Sequence, residues 1–69
     1  MDDLTVLELE LILNDKIKTL RELEAKIENM YEIGAYDYAD SLDVASGVII
    51  EDIIEIEDII ERKKGVNHE

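Results

Sequence analysis

The second half of the chain combines a dense run of acidic residues with a regular isoleucine pattern. Residues 37–61 contain nine carboxylates and no Lys or Arg, and residues 49–60 read IIEDIIEIEDII. The apolar residues recur every three or four positions, which is the period of an amphipathic helix. The segment therefore predicts a helix whose outer faces are strongly acidic. The nine carboxylates are Asp37, Asp40, Asp43, Glu51, Asp52, Glu55, Glu57, Asp58 and Glu61.

The chain is short for a self-sufficient core. Its 69 residues make one domain at most, and a chain of this size buries only about 60% of the surface that its unfolded form exposes. It has no Cys, and its one His, His68, lies near the C-terminus, so neither a disulfide nor a structural zinc site is expected to stabilise it. Self-association is the remaining source of stability, and we expect a homodimer.

Charge and apolar content limit the classes of partner. A net charge of −12 repels nucleic-acid phosphates and anionic lipids, so direct nucleic-acid binding is not expected. The apolar fraction of 46%, arranged with a helical period, argues against disorder. No secretory signal or apolar run of roughly 20 residues is present, so we expect a cytoplasmic protein that does not cross a membrane. Such acidity is also typical of salt-adapted proteins, and that origin stays open.

A capping box marks the start of the first helix. Thr5 and Glu8 have the spacing at which each side chain accepts a hydrogen bond from the backbone of the other, and Asp3 is an alternative cap. Lys16 falls on a position of the apolar seam, with Ile17 beside it. Residues 6–13 also alternate like a strand, but helix-forming residues dominate and no second strand exists to pair with. Leu4, Leu7 and Leu11 form a second stripe, and the seam consists of Val6, Leu9, Leu13, Leu20, Leu23, Ile27 and Met30.

A short connection joins the two helices. Gly34 is placed to end the first helix in the left-handed conformation, Asp37 is a good cap for the second, and Gly65 is placed to end it. So short a linker forces the helices back antiparallel, so the predicted fold class is all-α, an antiparallel two-helix hairpin. The predicted bounds are helix 1 at about 6–33, a turn at 34–37, helix 2 at about 38–64 and a frayed tail at 65–69.

The apolar arc of the second helix is too wide for one neighbouring helix. We therefore expect two hairpins to pair into a dimeric four-helix bundle, in which each helix touches two others. In architecture alone this arrangement resembles the Rop type of hairpin dimer. The arc consists of the row Ile49, Ile53, Ile56 and Ile60, flanked by Ile50, Ile54 and Ile59.

Two interior features of helix 2 need compensation. Glu57 lies inside the apolar arc, where it either reaches solvent at the edge of the bundle or is buried against Lys16. Gly47, beside Ser46, costs about 1 kcal/mol relative to Ala in a helix. With Ala39 and Ala45 nearby, the small residues predict a close approach to a neighbouring helix, and a kink is the alternative.

Catalytic and metal-binding patterns are weak. The segment from Glu55 to Asp58 resembles the ExxD element with which the all-α nucleotide pyrophosphohydrolases bind magnesium, but the matching ExxE element is absent and both carboxylates face solvent. We expect no metal site and no cofactor, and a magnesium enzyme stays a minor alternative. The hydroxyl residues have no His or Lys placed to activate them, so we expect no enzyme activity. They are Thr5, Thr19, Ser41 and Ser46.

The remaining hypothesis is recognition of another protein. Acidic residues one helical turn apart, as at Glu51, Glu55 and Asp58, hold carboxylates about 5–6 Å apart and can imitate nucleic-acid phosphates towards a basic protein. All three tyrosines cluster at the turn and either cap the core or anchor a partner. A helical scaffold module, with acid serving only solubility, is the alternative. The candidate binding residues are Tyr36, Asp37, Tyr38, Asp40, Asp43, Glu51, Glu55 and Asp58.

Overall fold

The protein is an all-α hairpin of two long helices. The computed structural model describes residues 3–66, with α1 at Val6–Glu32 and α2 at Tyr36–Val66. The helices pack antiparallel into a rod of 53 × 17 × 15 Å. Within residues 3–66, neither helix offers a stretch long and apolar enough to span a bilayer.

The capping box at the start of α1 is confirmed. The backbone N–H of Glu8 donates to Oγ1 of Thr5 at 3.1 Å, and the N–H of Thr5 donates to Oε1 of Glu8 at 3.0 Å. These two bonds satisfy backbone donors that the first turn of a helix leaves without partners. Hydrogen bonds from the backbone and the hydroxyl of Thr5 also lower the pKa of the Glu8 carboxyl, because they favour its charged form.

The turn is a Schellman motif centred on Gly34, and the predicted left-handed conformation of Gly34 is confirmed. Gly34 has a φ of +82°, which a residue with a side chain rarely adopts. Its N–H donates to the carbonyl of Tyr31 at 3.1 Å, and the N–H of Ala35 donates to the carbonyl of Met30 at 2.9 Å. The carbonyl of Ala35 then accepts from the N–H of Ala39 at 2.9 Å, so Ala35 completes the end of α1 and begins α2.

The helix boundaries differ from the predicted ones around this motif. Asp37 is not the cap of α2 but lies in its first turn, because Ala35 already supplies the carbonyl that begins the helix. The negative charge of Asp37 is still favourable there, because the N-terminal end of the helix dipole is positive. At the other end, α2 continues through Gly65 to Val66, so Gly65 does not terminate it. The rest of the predicted tail, residues 67–69, lies outside the described part.

The core is concentrated at the end of the rod away from the turn. Leu9 and Ile56 are completely buried, and Ile59 and Ile60 are nearly so. The α2 positions that face α1 follow alternating spacings of three and four residues, as in an antiparallel coiled coil. These positions are Ala39, Leu42, Ser46, Ile49, Ile53, Ile56, Ile60 and Lys63. The partly buried side chains packed against the core are Leu4, Val6, Ile12 and Leu13.

Small residues bring the helices together nearer the turn, although not all of those predicted take part. Ala39 and Ser46 are buried, as close approach requires. Ala45 and Gly47 are exposed, and a methyl group added at Gly47 would meet no atom within 4 Å. The prediction of close packing is therefore wrong for Ala45 and Gly47 within the hairpin, because both lie off the face that meets α1.

Of the two alternatives for Glu57, the structure shows the one in which its side chain reaches solvent, and the pair with Lys16 does not form. Nζ of Lys16 lies 3.5 Å from Oδ2 of Asp52, and Glu57 is exposed. Glu57 follows the core residue Ile56 on the edge of the interface, where its side chain reaches solvent without crossing the core. A second pair joins the helices near the open end, with Nζ of Lys64 at 3.8 Å from Oε2 of Glu10.

The hairpin leaves several large apolar side chains in contact with solvent. Leu7 and Leu11 are 67% and 63% exposed, which confirms part of the predicted second stripe of α1. Leu4 departs from that prediction, because it is half-buried against the core. On α2, Ile54 is 59% exposed. One neighbouring helix thus covers only part of the apolar surface of each helix.

Candidate partner-binding surfaces

The middle of α2 presents carboxylates to solvent on the side away from α1. Glu51, Glu55 and Asp58 are all exposed, and we call them the outer face. Asp58 pairs with Arg62, at 3.0 Å between Oδ2 and Nη2. Within residues 3–66, Glu51 and Glu55 have no cation within ion-pair distance. The outer face therefore keeps most of its negative charge available to a partner.

The two tyrosines at the start of α2 point to different sides of the rod. The ring of Tyr36 lies 6.0 Å from that of Tyr31, centroid to centroid. Tyr38 instead has Nζ of Lys26 at 5.7 Å from its ring centroid, within the range of a cation–π contact. Two residues of a helix are separated by about 200° around its axis. Tyr36 and Tyr38 therefore do not form one binding tip, although both are exposed.

A hydrogen bond ties the last turn of α1 to the beginning of α2. The hydroxyl of Tyr31 donates to Oδ1 of Asp40 at 2.8 Å. This bond raises the pKa of the Tyr31 phenol, because it favours the protonated form; desolvation and the negative charges of Asp40 and Asp43 act in the same direction. The bond and the ring contact with Tyr36 hold the Tyr31 side chain in place beside the hairpin interface.

An open groove lies between the helices on the side where Tyr31 sits. It has a volume of about 570 Å³, within the usual size range of binding pockets. Ile27 and Ile50 supply its apolar surface, and acidic side chains from both helices surround them. Ser46 is buried at the groove, and its hydroxyl donates to the carbonyl of Asp43 at 2.7 Å. The lining residues are Glu24, Ile27, Glu28, Tyr31, Glu32, Asp43, Ser46 and Ile50.

α1 also contributes carboxylates to this groove, and none of them is among the predicted binding residues. Glu24, Glu28 and Glu32 are spaced four residues apart, so they lie on one side of α1. The spacing of four is present in the sequence, but by itself it shows only that the three side chains share one side of a helix. Only the antiparallel register shows that this glutamate row faces Asp43.

The eight predicted binding residues are all exposed, but they do not form one surface. Asp43 lines the groove, and Asp40 is engaged with Tyr31. Asp37 lies in the first turn of α2 and is not among the residues that line the groove. Glu51, Glu55 and Asp58 stand apart on the outer face. Among residues 3–66, no cluster of three or more His, Cys, Asp or Glu has an arrangement that could hold a metal ion.

Comparison with models of protein families, with curated proteins and with solved structures gives no significant match to this chain.

Proposed function

We propose that this protein is a small cytoplasmic binding protein that inhibits a basic, nucleic-acid-acting protein by imitating the charge of nucleic acid. The observation that carries the proposal is the outer face of α2. Its carboxylates are exposed, and Glu51 and Glu55 have no ion-pair partner within residues 3–66. Residues one helical turn apart have Cβ atoms about 5–6 Å from one another, so their carboxylates form a row of like charges, as the phosphates do along a nucleic-acid strand.

Rigidity supports this role. Because α2 is fixed against α1, the backbone positions that carry the carboxylates keep a constant spacing, so a partner has to order only the side chains. Charge complementarity also accelerates diffusional encounter with a basic surface. The rod therefore has two properties that an imitator of nucleic acid needs, which are fixed geometry and a strong field of one sign.

We further propose that two hairpins pair into a four-helix bundle. The support is the apolar surface that one hairpin leaves open, chiefly Leu7, Leu11 and Ile54, each more than half exposed. Burying such side chains contributes about 1.5–3 kcal/mol each relative to leaving them in water. The same surface favours a second candidate function, a scaffold module that binds a helix of another protein through its leucines, with the acid serving solubility.

The experiment compares wild-type protein with an outer-face variant, Glu51→Gln, Glu55→Gln and Asp58→Asn. Both are immobilised and exposed to a cell lysate at about 0.1 M salt, where the Debye length is about 10 Å. The proposal expects basic nucleic-acid-binding proteins on the wild type, released at about 0.5 M salt and reduced on the variant. It further expects the captured protein, once purified, to lose its nucleic-acid binding when the wild type is added.

Equal capture by the two proteins would contradict charge imitation by the outer face. Capture that resists salt and is lost on changing Leu7 and Leu11 to Gln would support the scaffold function instead.

A further inference from the structure

The groove beside Tyr31 combines three properties that the outer face lacks. It is concave, its central surface is apolar through Ile27 and Ile50, and its edges carry carboxylates from both helices. A flat acidic face attracts any cation, whereas an apolar groove with charged edges selects a ligand that has both an apolar side and basic groups.

The carboxylates at the groove are poorly neutralised by the hairpin itself. Within residues 3–66, none of the acidic residues that line it has a Lys or Arg at ion-pair distance. Like charges four residues apart, as at Glu24, Glu28 and Glu32, repel one another and destabilise the helix. A cationic ligand removes this repulsion when it binds.

Tyr31 contributes a ring of fixed position to the wall. Its hydroxyl is engaged with Asp40 and its ring lies against that of Tyr36, so the side chain is already ordered before a ligand arrives. An aromatic face beside carboxylates favours a guanidinium or ammonium group through cation–π attraction. Arginine fits this combination well, because its planar group pairs with carboxylates and stacks on rings.

We propose that this groove is the docking site for an amphipathic basic helix of the protein partner, whose apolar side chains lie on Ile27 and Ile50 while its Arg or Lys side chains pair with Glu24, Glu28 and Asp43. This is the helix-in-groove mode of recognition, in which residues one turn apart act as anchors. The inference rests on the proposed function, since it takes a helix of the same basic partner as the ligand and gives that partner a second contact surface in addition to the outer face.

The test uses a synthetic peptide of about 18 residues, with Leu at every third or fourth position and Arg elsewhere, so that its Leu side chains share one face when the peptide is helical on the groove. A scrambled peptide of the same composition has the same charge without the apolar period. Binding to the full chain is followed by fluorescence anisotropy. We expect the amphipathic peptide to bind at least about tenfold more tightly than the scrambled one. Equal affinities would overturn the proposal, because they would show charge attraction without helix recognition.

Two charge-matched variants locate the site. The groove variant is Glu24→Gln, Glu28→Gln and Asp43→Asn, and the outer-face variant is the one defined above. Each removes three negative charges, from −12 to −9, so the general attraction for a cation changes equally. We expect the groove variant to lose about tenfold or more in affinity for the amphipathic peptide, and the outer-face variant to lose at most about threefold.

Equal losses of affinity in the two variants, or a larger loss in the outer-face variant, would overturn the assignment of the peptide site to the groove. They would leave the proposed function standing if the captured basic protein still depends on the outer face, so the two failures are distinguishable. Circular dichroism verifies that both variants remain helical, and light scattering verifies that their mass is unchanged. A change of mass in the groove variant would assign the groove to a second copy and overturn the proposal.

Two further measurements identify the ligand that occupies the groove. The first is competition with spermidine: if spermidine displaces the peptide at equal concentration, the groove binds a small polycation instead of a helix, and the proposal is overturned.

The second is titration of the Tyr31 phenol by NMR. The pKa of this phenol should be lower with the peptide bound, because a guanidinium beside the ring favours the phenolate. Arg itself stays charged throughout that titration. Peptide binding that leaves the titration of Tyr31 unchanged would place the peptide elsewhere and overturn the proposal.

Discussion

Tyr31 and Asp40 join the two helices of the hairpin across the turn, through a hydrogen bond of 2.8 Å from the phenol to Oδ1 of the carboxylate. The bond joins two residues nine positions apart in the sequence, on either side of the Schellman motif of Gly34. The turn is therefore held by side chains as well as by backbone, and the wall of the acidic groove is fixed by the same contact.

Because of this bond, we expect the free energy of unfolding to decrease as the pH becomes alkaline. The pKa of Tyr31 is raised in the folded state, so the folded protein holds the phenol proton more tightly than the unfolded chain does. The contribution is fully present below the ordinary tyrosine pKa of about 10 and is lost as pH rises through the folded value. Urea denaturation at increasing pH should show this loss, and Tyr31→Phe should remove that part of it. A Phe variant with the same alkaline loss as wild type would contradict the assignment to Tyr31.

Because of the capping box, we expect the free energy of unfolding to decrease as the pH becomes acidic. The pKa of Glu8 is lowered in the folded state, so its contribution is present above the ordinary value of about 4.3 and is lost as pH falls through the folded value. Replacing Thr5 by Ala removes the hydrogen bonds to the cap and should cost about 0.5–2 kcal/mol at neutral pH. Urea denaturation of the Ala variant tests this, and a loss below about 0.3 kcal/mol would show that the first turn is not stabilised by its cap.

The two glycines Gly34 and Gly47 should respond to alanine with opposite signs. At Gly47 the added methyl group meets no atom within 4 Å, and alanine should stabilise the helix by about 0.5–1 kcal/mol. At Gly34 the φ of +82° is unfavourable for alanine, and the change should destabilise by about 1–2 kcal/mol. Denaturation curves of the two variants provide the comparison. Destabilisation by Gly47→Ala would indicate that a second copy packs closely at that position.

Leu9 is the buried anchor of α1 and should be its most sensitive apolar residue. It is completely buried against Ile56, Ile59 and Ile60, so Leu9→Ala should lower the free energy of unfolding by about 2–5 kcal/mol. Thermal unfolding followed by circular dichroism measures this. A loss under about 1 kcal/mol would contradict the location of the core at the open end of the hairpin.

The exposed leucines test the dimer. Leu7→Gln together with Leu11→Gln should leave the helices intact, since both side chains are more than half exposed in the hairpin, but should remove apolar surface from the proposed bundle. Light scattering should give the mass of two chains for the wild type and of one chain for the double variant. A wild-type protein that is a folded monomer would refute the bundle.

Local patterns predicted most of the fold. The Thr5 capping box, the left-handed Gly34 and the isoleucine period each depend on neighbouring residues, and each is found in the structure. The predicted beginning of α2 is wrong because Asp37 is a strong cap by residue type, whereas in the structure the Ala35 carbonyl next to the Schellman motif is already a hydrogen-bond acceptor of that helix.

The candidate site was less predictable because it depends on the register of the two helices. The sequence identified the acidic face of α2 but could not show which α1 residues stand opposite. Lys16 pairs with Asp52 because of this register, and Glu24 and Glu28 meet Asp43 at the groove for the same reason. The sequence predicts Tyr36 and Tyr38 as parts of one binding tip because they are close in sequence. Residues two positions apart in a helix, however, lie about 200° apart around its axis.

The central claim is that charge on this rod recruits a basic partner, and its most direct test is the ionic-strength dependence of association. The rate constant for binding the purified, captured partner is measured by stopped-flow fluorescence from about 0.05 to 0.5 M salt, where the Debye length shortens from about 14 to 4 Å. Charge recognition predicts a fall of about tenfold or more across this range, with a smaller fall for the outer-face variant. A rate constant that stays constant across the range, and is equal in the wild type and the variant, would contradict the claim.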